Sequence, residues 1–166
     1  AQDLLDLESD PLQEFADDYD AALGSYRQLL AMKPDFPGAR AFRARIKLIQ
    51  DKPDSALKES EKETEPFWKR YARILALTAS DRSSEAAELL EQMKSEDGSH
   101  AAFQIAEILA YQEDLDGAFE WLNRAYRQRD GGMKELQGNF FLENLHQDPR
   151  WGALLERMAF PLDLES

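Results

Sequence analysis

Apolar residues recur at helical spacing along most of this chain, most clearly over residues 101–126. Two such runs flank the acidic turn Glu113-Asp114-Leu115-Asp116. The first run contains Phe103, Ile105, Ala106, Leu109 and Ala110, and the second contains Ala118, Phe119, Trp121, Leu122 and Ala125. Small residues in each run leave room for large residues of the other, as a tight antiparallel helix pair requires. Because so short a pair cannot bury both apolar faces alone, the pattern predicts similar neighbouring pairs.

The same turn followed by alanine recurs upstream. With Ala118 as a marker, the equivalents are Ala86, Ala56 and Ala22, at spacings of 32, 30 and 34 residues, and a polar quartet precedes each one. This predicts one domain with repeat units at about 3–34, 37–66, 67–97 and 99–130, followed by a C-terminal cap at 133–160. In the first unit, Leu4, Leu5 and Leu7 suggest the remains of a first helix. Apolar spacing over 12–29 would suit one unbroken helix, but comparison with the other units favours a turn at residues 17–20.

A helix-turn-helix period of about 34 residues resembles the tetratricopeptide repeat. Its positions are filled by Ala106, Leu109, Ala118, Leu122 and Ala125 in the last unit, and by Ala22, Tyr26 and Pro34 in the first. The chain departs from the pattern in lacking the consensus Trp and Leu-Gly, and in having Arg40, Arg43 and Ser60 where bulky apolar or aromatic residues are usual. The resemblance implies an all-α, right-handed superhelical array of antiparallel helix pairs.

The end of the chain carries a second resemblance. Its residues are Arg129, Asp130, Gly131, Phe141, Leu142, Leu145, Asp148, Pro149, Arg150, Trp151, Leu154, Leu155 and Met158. They are similar to the end of tetratricopeptide regions in bacterial signalling proteins, which commonly follow a winged-helix, adenylate-cyclase or protein-kinase domain. This implies an effector or sensor region of a longer regulator. Because residues 140–145 are strongly apolar, we expect them to cover the open end of the array, with a capping helix starting at Pro149.

Composition and charge argue against some classes of function. Hydrophobic residues make up 43% of the chain, which is typical of a folded protein. The net charge of −13 repels phosphate backbones and argues against nucleic-acid binding, including a helical-repeat RNA reader. No run approaches the roughly 20 apolar residues of a membrane span, so we expect no membrane insertion. Because the chain starts at Ala1 rather than Met, we expect a truncated or processed N-terminus, from which a signal peptide, a membrane anchor or another domain has been removed. The lack of cysteine fits a bacterial cytoplasm and a bacterial periplasm equally well.

The sequence offers no grouping typical of catalysis or metal binding. His100 and His146 are 46 residues apart and fit no zinc motif. The acids at 113–116 lack the spacing of a calcium loop, and helix capping explains them. We therefore expect no enzymatic activity, no metal and no cofactor.

Binding is the better hypothesis, because the first helix of each repeat would line a concave groove. The expected partner-binding residues there are Arg45, Trp68, Tyr71, Leu75, Phe103, Glu107 and Tyr111. The aromatic members would suit an extended peptide or a helix. The alternative is that some of these aromatic residues pack against the neighbouring repeat unit or against the C-terminal tail that follows the last unit. A basic stripe, Arg40, Arg43 and Lys47, could receive an acidic partner, although pairing with local carboxylates is favoured.

The sequence thus predicts a non-enzymatic scaffold that binds a protein or peptide partner, with a homodimer left open. The alternative is a sensory domain that binds a small ligand or dimerises, which a tight pocket between groove and tail would favour. Ala41, Phe42 and Arg45 stand where chaperone-binding members carry parts of their Lys and Asn clamp, so we expect no chaperone-tail binding.

Overall fold

The computed structural model describes residues 11–159 of the 166, and side chains from residue 18 onward. Within that range it contains helices and no strand, which confirms the all-α prediction. The α-helices are α1 Pro11–Met32, α2 Ala39–Ile49, α3 Pro53–Lys62, α4 Pro66–Ala79, α5 Ser83–Asp97, α6 Ala102–Tyr111, α7 Leu115–Arg127 and α8 Pro149–Ala159. Two 3₁₀ helices, Gly131–Glu135 and Phe140–Leu145, lie between α7 and α8. The helix expected at Leu4, Leu5 and Leu7 and the last residue of the expected cap, Phe160, lie outside the described residues.

Helix α1 corrects one prediction. The turn expected at residues 17–20 is wrong, because α1 runs without interruption from Pro11 to Met32. Residues 17–20 contain no glycine or proline, and the apolar spacing of 3 and 4 over 12–29 continues through them. A polar quartet by itself is therefore not enough to end a helix whose apolar stripe is unbroken.

The chain divides into two compact units, Ala1–Ala76 and Leu77–Ser166, and the boundary falls within α4. In the described part of the N-terminal unit, α2 pairs with α3 and α1 packs on α2. Tyr26 of α1 lies parallel to Phe42 of α2, with ring centroids 6.3 Å apart. Buried apolar residues of this core include Leu23, Leu30, Ala44 and Ala56.

The C-terminal unit is built around the pair α6 and α7. Both 3₁₀ helices contact α6, and α8 is attached to α7 by two arginines. Arg150 donates to Asp116 at 2.8 Å, and Arg157 donates to Asn123 at 2.9 Å. Buried apolar residues of this unit include Ile105, Ile108, Leu122, Leu142 and Leu145. The prediction of one continuous domain stays a prediction.

The same turn joins α2 to α3, α4 to α5 and α6 to α7. Each turn has one non-glycine residue in the left-handed region, at Asp51, Asp81 and Glu113, with φ of 59°, 57° and 65°. In all three, that residue donates its N–H to the carbonyl three positions back, and the next residue donates to the carbonyl five positions back. This is the Schellman pattern that ends helices. In these three pairs the marker alanine follows five residues later and is fully buried, so the sequence repeat corresponds to a repeated turn. The fourth marker, Ala22, lies within α1 and is half-buried.

Candidate functional site

In the N-terminal unit, the predicted site residue Arg45 lies on α2 among aromatic rings. Its Nη1 donates to the Tyr71 hydroxyl at 3.0 Å. The guanidinium carbon lies 5.8 Å from the centroid of the Phe42 ring and 5.9 Å from that of Tyr71, within cation–π range. Burial raises the pKa of the neighbouring Tyr26 hydroxyl, and the positive charge of Arg45 partly opposes that shift. Arg45 is thus oriented by rings from more than one helix.

Those rings form a continuous series across three helices. Phe42 lies 5.3 Å from Trp68, and Trp68 lies 5.6 Å from Tyr71, between ring centroids. Gly38, with φ of 84°, precedes α2 at a point where a Cβ would stand 3.4 Å from the Trp68 side chain. Phe42, Arg45 and Trp68 are half-buried, whereas Tyr71 is completely buried. We call Phe42, Arg45 and Trp68 the α2–α4 surface.

Leu75, also predicted for the groove, is completely buried in α4. Phe42 is not among the partner-binding residues expected from the sequence. The sequence could have indicated Phe42 as a site residue, because Phe42 and Arg45 are three residues apart and share one face of α2. Of the four residues predicted here, the half-buried Arg45 and Trp68 keep solvent access, whereas Tyr71 and Leu75 have no exposed surface.

In the C-terminal unit, the other predicted residues, Phe103, Glu107 and Tyr111, share one face of α6. The tail, residues 130–145, lies on that face. The Asn139 amide donates to a Glu107 carboxylate oxygen at 2.9 Å, and the Tyr111 and Phe141 rings meet edge to face at 5.1 Å. Phe103 is 2% exposed and Glu107 is 1% exposed. The alternative that some of the aromatic residues pack against the tail is therefore confirmed. Partner contact with the buried Phe103 and Glu107 would require the tail to move, whereas Tyr111 is half-buried.

The tail approaches α6 closely because it has a glycine at the contact. A Cβ on Gly132 would lie 2.6 Å from Cδ1 of Phe103, which is closer than real side chains come. Farther along the same face, the Asn144 amide donates to the Ala110 carbonyl at 3.0 Å. The tail is thus fitted to α6 at several separate positions.

The basic stripe is used within the protein. Arg40 and Arg43 both contact the carboxylate of Glu59 on α3, at 3.5 Å and 3.2 Å. This confirms the favoured interpretation for these two residues. Lys47 is half-buried on the same helix. A charge on the buried Glu59 is costly without partners, so the two arginines serve the α2–α3 pair first.

In each unit, one acidic side chain joins the end of a helix pair to the start of its first helix. The sequence did not predict this role for either acid, Glu63 or Asp130. One oxygen of Glu63 accepts from the Ala41 N–H at 3.2 Å, and the other accepts from the Glu65 N–H at 3.1 Å. One oxygen of Asp130 accepts from the Phe103 N–H at 3.1 Å, and the other accepts from the Gly132 N–H at 2.8 Å. We call each of these a carboxylate clasp.

The clasps are equivalent because Ala41 and Phe103 each lie 15 residues before the marker alanine of their pair. In each case an acid just beyond the second helix ties the chain to the start of the first helix. An N–H in the first turn of a helix has no partner within the helix, so a carboxylate there is favourable. The signal in the sequence was an acid shortly after each second helix.

Among the side chains that the structure describes, no group of three or more His, Cys, Asp and Glu is arranged to hold a metal ion. No helix among the described residues is long and apolar enough to cross a membrane. The sites described above are built from aromatic, guanidinium, amide and carboxylate groups. Comparison with protein-family models, curated proteins and solved structures found no match to this chain.

Proposed function

We propose that the chain is a non-enzymatic helical-repeat module of the tetratricopeptide type that binds a protein partner. The observation that carries this proposal is the repeated turn at Asp51, Asp81 and Glu113, each followed five residues later by a buried alanine. Helix pairs repeated in this way are the building blocks of solenoids, which act by presenting surfaces to other proteins. In the proposed architecture, the pairs stack in a right-handed array that the tail closes.

The proposed binding site is the α2–α4 surface. Aromatic and arginine side chains are enriched among the residues that dominate binding energies at protein interfaces. Trp68 is already held between Phe42 and Tyr71, so it would lose little conformational freedom when a partner binds. The partner chemistry that suits this surface is a segment with an apolar side chain beside a carboxylate, since Arg45 offers a local positive charge in a chain of net charge −13.

The test starts from peptides selected against the intact protein from a random displayed library. Their affinities are then measured for the wild type, for Trp68→Ala and for Tyr126→Ala, after circular dichroism has shown equal helicity. Tyr126 is a half-buried aromatic on α7 and serves as the matched control. Loss of a central aromatic anchor of about 2 kcal/mol would weaken binding about 30-fold in Trp68→Ala alone. Equal affinity for both variants would reject this surface as the site.

The alternative, a sensory domain for a small ligand, depends on a tight pocket between groove and tail. In the C-terminal unit the tail contacts α6 directly, with the Asn139 amide 2.9 Å from Glu107. These contacts fill that part of the α6 face, and the sensory function stays a prediction from the sequence. The absence of nucleic-acid, cofactor and catalytic functions, and the bacterial location, remain predictions from the sequence.

A further inference from the structure

Two large apolar side chains are exposed to solvent at one corner of the N-terminal unit. Among the side chains that the structure describes, the exposed large apolar ones are Met32, at 85% exposure, and Phe36, at 39%. They are four residues apart, at the end of α1 and in the loop that leads to α2. The ammonium group of Lys33, which is also exposed, lies 5.7 Å from the centroid of the Phe36 ring, within cation–π range. We call Met32, Lys33 and Phe36 the loop patch.

Backbone hydrogen bonds hold this loop beside the α2–α4 surface. The Phe36 N–H donates to the Lys33 carbonyl at 3.1 Å, and the first N–H of α2 donates to the Phe36 carbonyl at 3.3 Å. Gly38 follows two residues later, where a Cβ would stand 3.4 Å from the Trp68 side chain and 3.5 Å from that of Phe42. Two residues span at most about 7 Å of chain. The loop patch therefore adjoins the α2–α4 surface, and one partner segment can contact both.

The chain around these two surfaces is basic, although the whole protein is acidic. Residues 33–49 contain five basic residues and one acid, Asp35, in a chain of net charge −13. Two of the five, Lys33 and Arg45, lie against aromatic rings, one on each surface. A cation beside an apolar ring is complementary to a carboxylate beside an apolar side chain. The same partner chemistry therefore suits both surfaces.

From these observations we propose that the loop patch is a second docking point for the partner of the α2–α4 surface, and that this partner is an acidic segment with two apolar side chains, each beside a carboxylate. One apolar side chain packs on Trp68, with its carboxylate facing Arg45. The other packs on Met32 and Phe36, with its carboxylate facing Lys33. Two linked contacts bind more tightly than either alone, because the second forms within the same complex. This inference rests on the proposed function and deepens it.

The first test reverses one charge at either end of α2. Lys33 and Lys52 are both exposed and lie before and after α2, whose 11 residues span about 16 Å. The probe is the tightest-binding peptide from the displayed-library selection described above, labelled and measured by fluorescence anisotropy in about 0.1 M salt, where exposed charges more than about 10 Å apart are screened. Lys33→Glu should weaken binding about fivefold, and the matched control Lys52→Glu should change it little. Equal affinities of the two variants would overturn the inference.

The second test removes the exposed ring and separates a failure of the inference from a failure of the proposed function. Phe36→Ala should weaken binding of the same peptide about tenfold, and Phe36→Leu, which keeps an apolar side chain, should weaken it less. If Trp68→Ala weakens binding and Phe36→Ala does not, the loop patch is not part of the site and the proposed function stands. If neither alanine variant weakens binding, both proposals are wrong.

Discussion

The faces of α2 and α6 occupy equivalent positions in two helix pairs, yet different elements contact them. In the N-terminal unit, Arg45 of α2 meets Tyr71 of α4, the helix that follows the α2–α3 pair. In the C-terminal unit, Glu107 of α6 meets Asn139 of the irregular tail. Arg45 and Glu107 each lie 11 residues before their marker alanine. A carboxylate clasp is present in both pairs. The helix pair is therefore repeated along the chain, whereas the element that packs on it differs between the two units.

At this equivalent position, the chemistry of the side chain, arginine in α2 and glutamate in α6, matches the element that packs against it. A guanidinium group can lie over aromatic rings and donate to a hydroxyl, which is what α4 supplies to Arg45. A buried carboxylate is costly unless donors satisfy it, and the tail supplies the Asn139 amide. The α2 face keeps half-buried aromatic surface, which is the proposed partner site, whereas the tail packs against the α6 face.

The largest expected change in stability comes from removing one aromatic ring from each element that packs on a helix pair, the tail on α6 and α4 on α2. Phe141 is 1% exposed, so Phe141→Ala should leave a cavity and lower the free energy of unfolding by about 3–5 kcal/mol. Trp68→Ala should cost roughly half as much, because Trp68 is only half-buried. Urea denaturation followed by circular dichroism measures both. A larger loss of unfolding free energy in Trp68→Ala would mean that α4 packs on α2 more tightly than the tail packs on α6.

A smaller effect is expected from removing the clasps. Glu63→Ala and Asp130→Ala each leave the first-turn N–H groups of a helix without their acceptor, at a cost of about 1–3 kcal/mol. The conservative variants Glu63→Gln and Asp130→Asn keep an acceptor oxygen and should lose less. Chemical denaturation measures the four values. If only one alanine variant is destabilised, the two clasps are not equivalent.

The smallest expected effect concerns the start of α8. Hydrogen bonds from the Arg150 side chain and backbone lower the pKa of Asp148 to about 2 from its ordinary 3.8. Because the folded-state pKa is the lower one, the carboxylate stabilises the fold above pH 3.8, and this contribution is lost as the pH falls towards about 2. The difference in urea midpoint between wild type and Asp148→Asn should therefore shrink over that range. A constant difference would show that ionisation of Asp148 does not contribute.

Helix positions could be read from the sequence because their causes are local. The two apolar runs predicted to pair around the acidic turn appear as α6 and α7, and the capping helix predicted to start at Pro149 appears as α8. Pro34 and Pro66 mark helix boundaries, since proline removes an N–H and fixes φ. The failure at residues 17–20 came from treating a polar quartet as a turn where no residue adopts the left-handed conformation that ends α2, α4 and α6.

The sequence by itself determined most of the helices and the three later turns with their buried marker alanines, Ala56, Ala86 and Ala118, because these follow from apolar periodicity and from short-range backbone preferences. Only the tertiary structure decided which of the predicted groove residues are accessible. Periodicity shows which side chains share a face of α6, but covering that face requires Asn139 and Phe141, about 30 residues farther along the chain. Contacts over such a separation depend on the path of the whole chain, and no local pattern records that path.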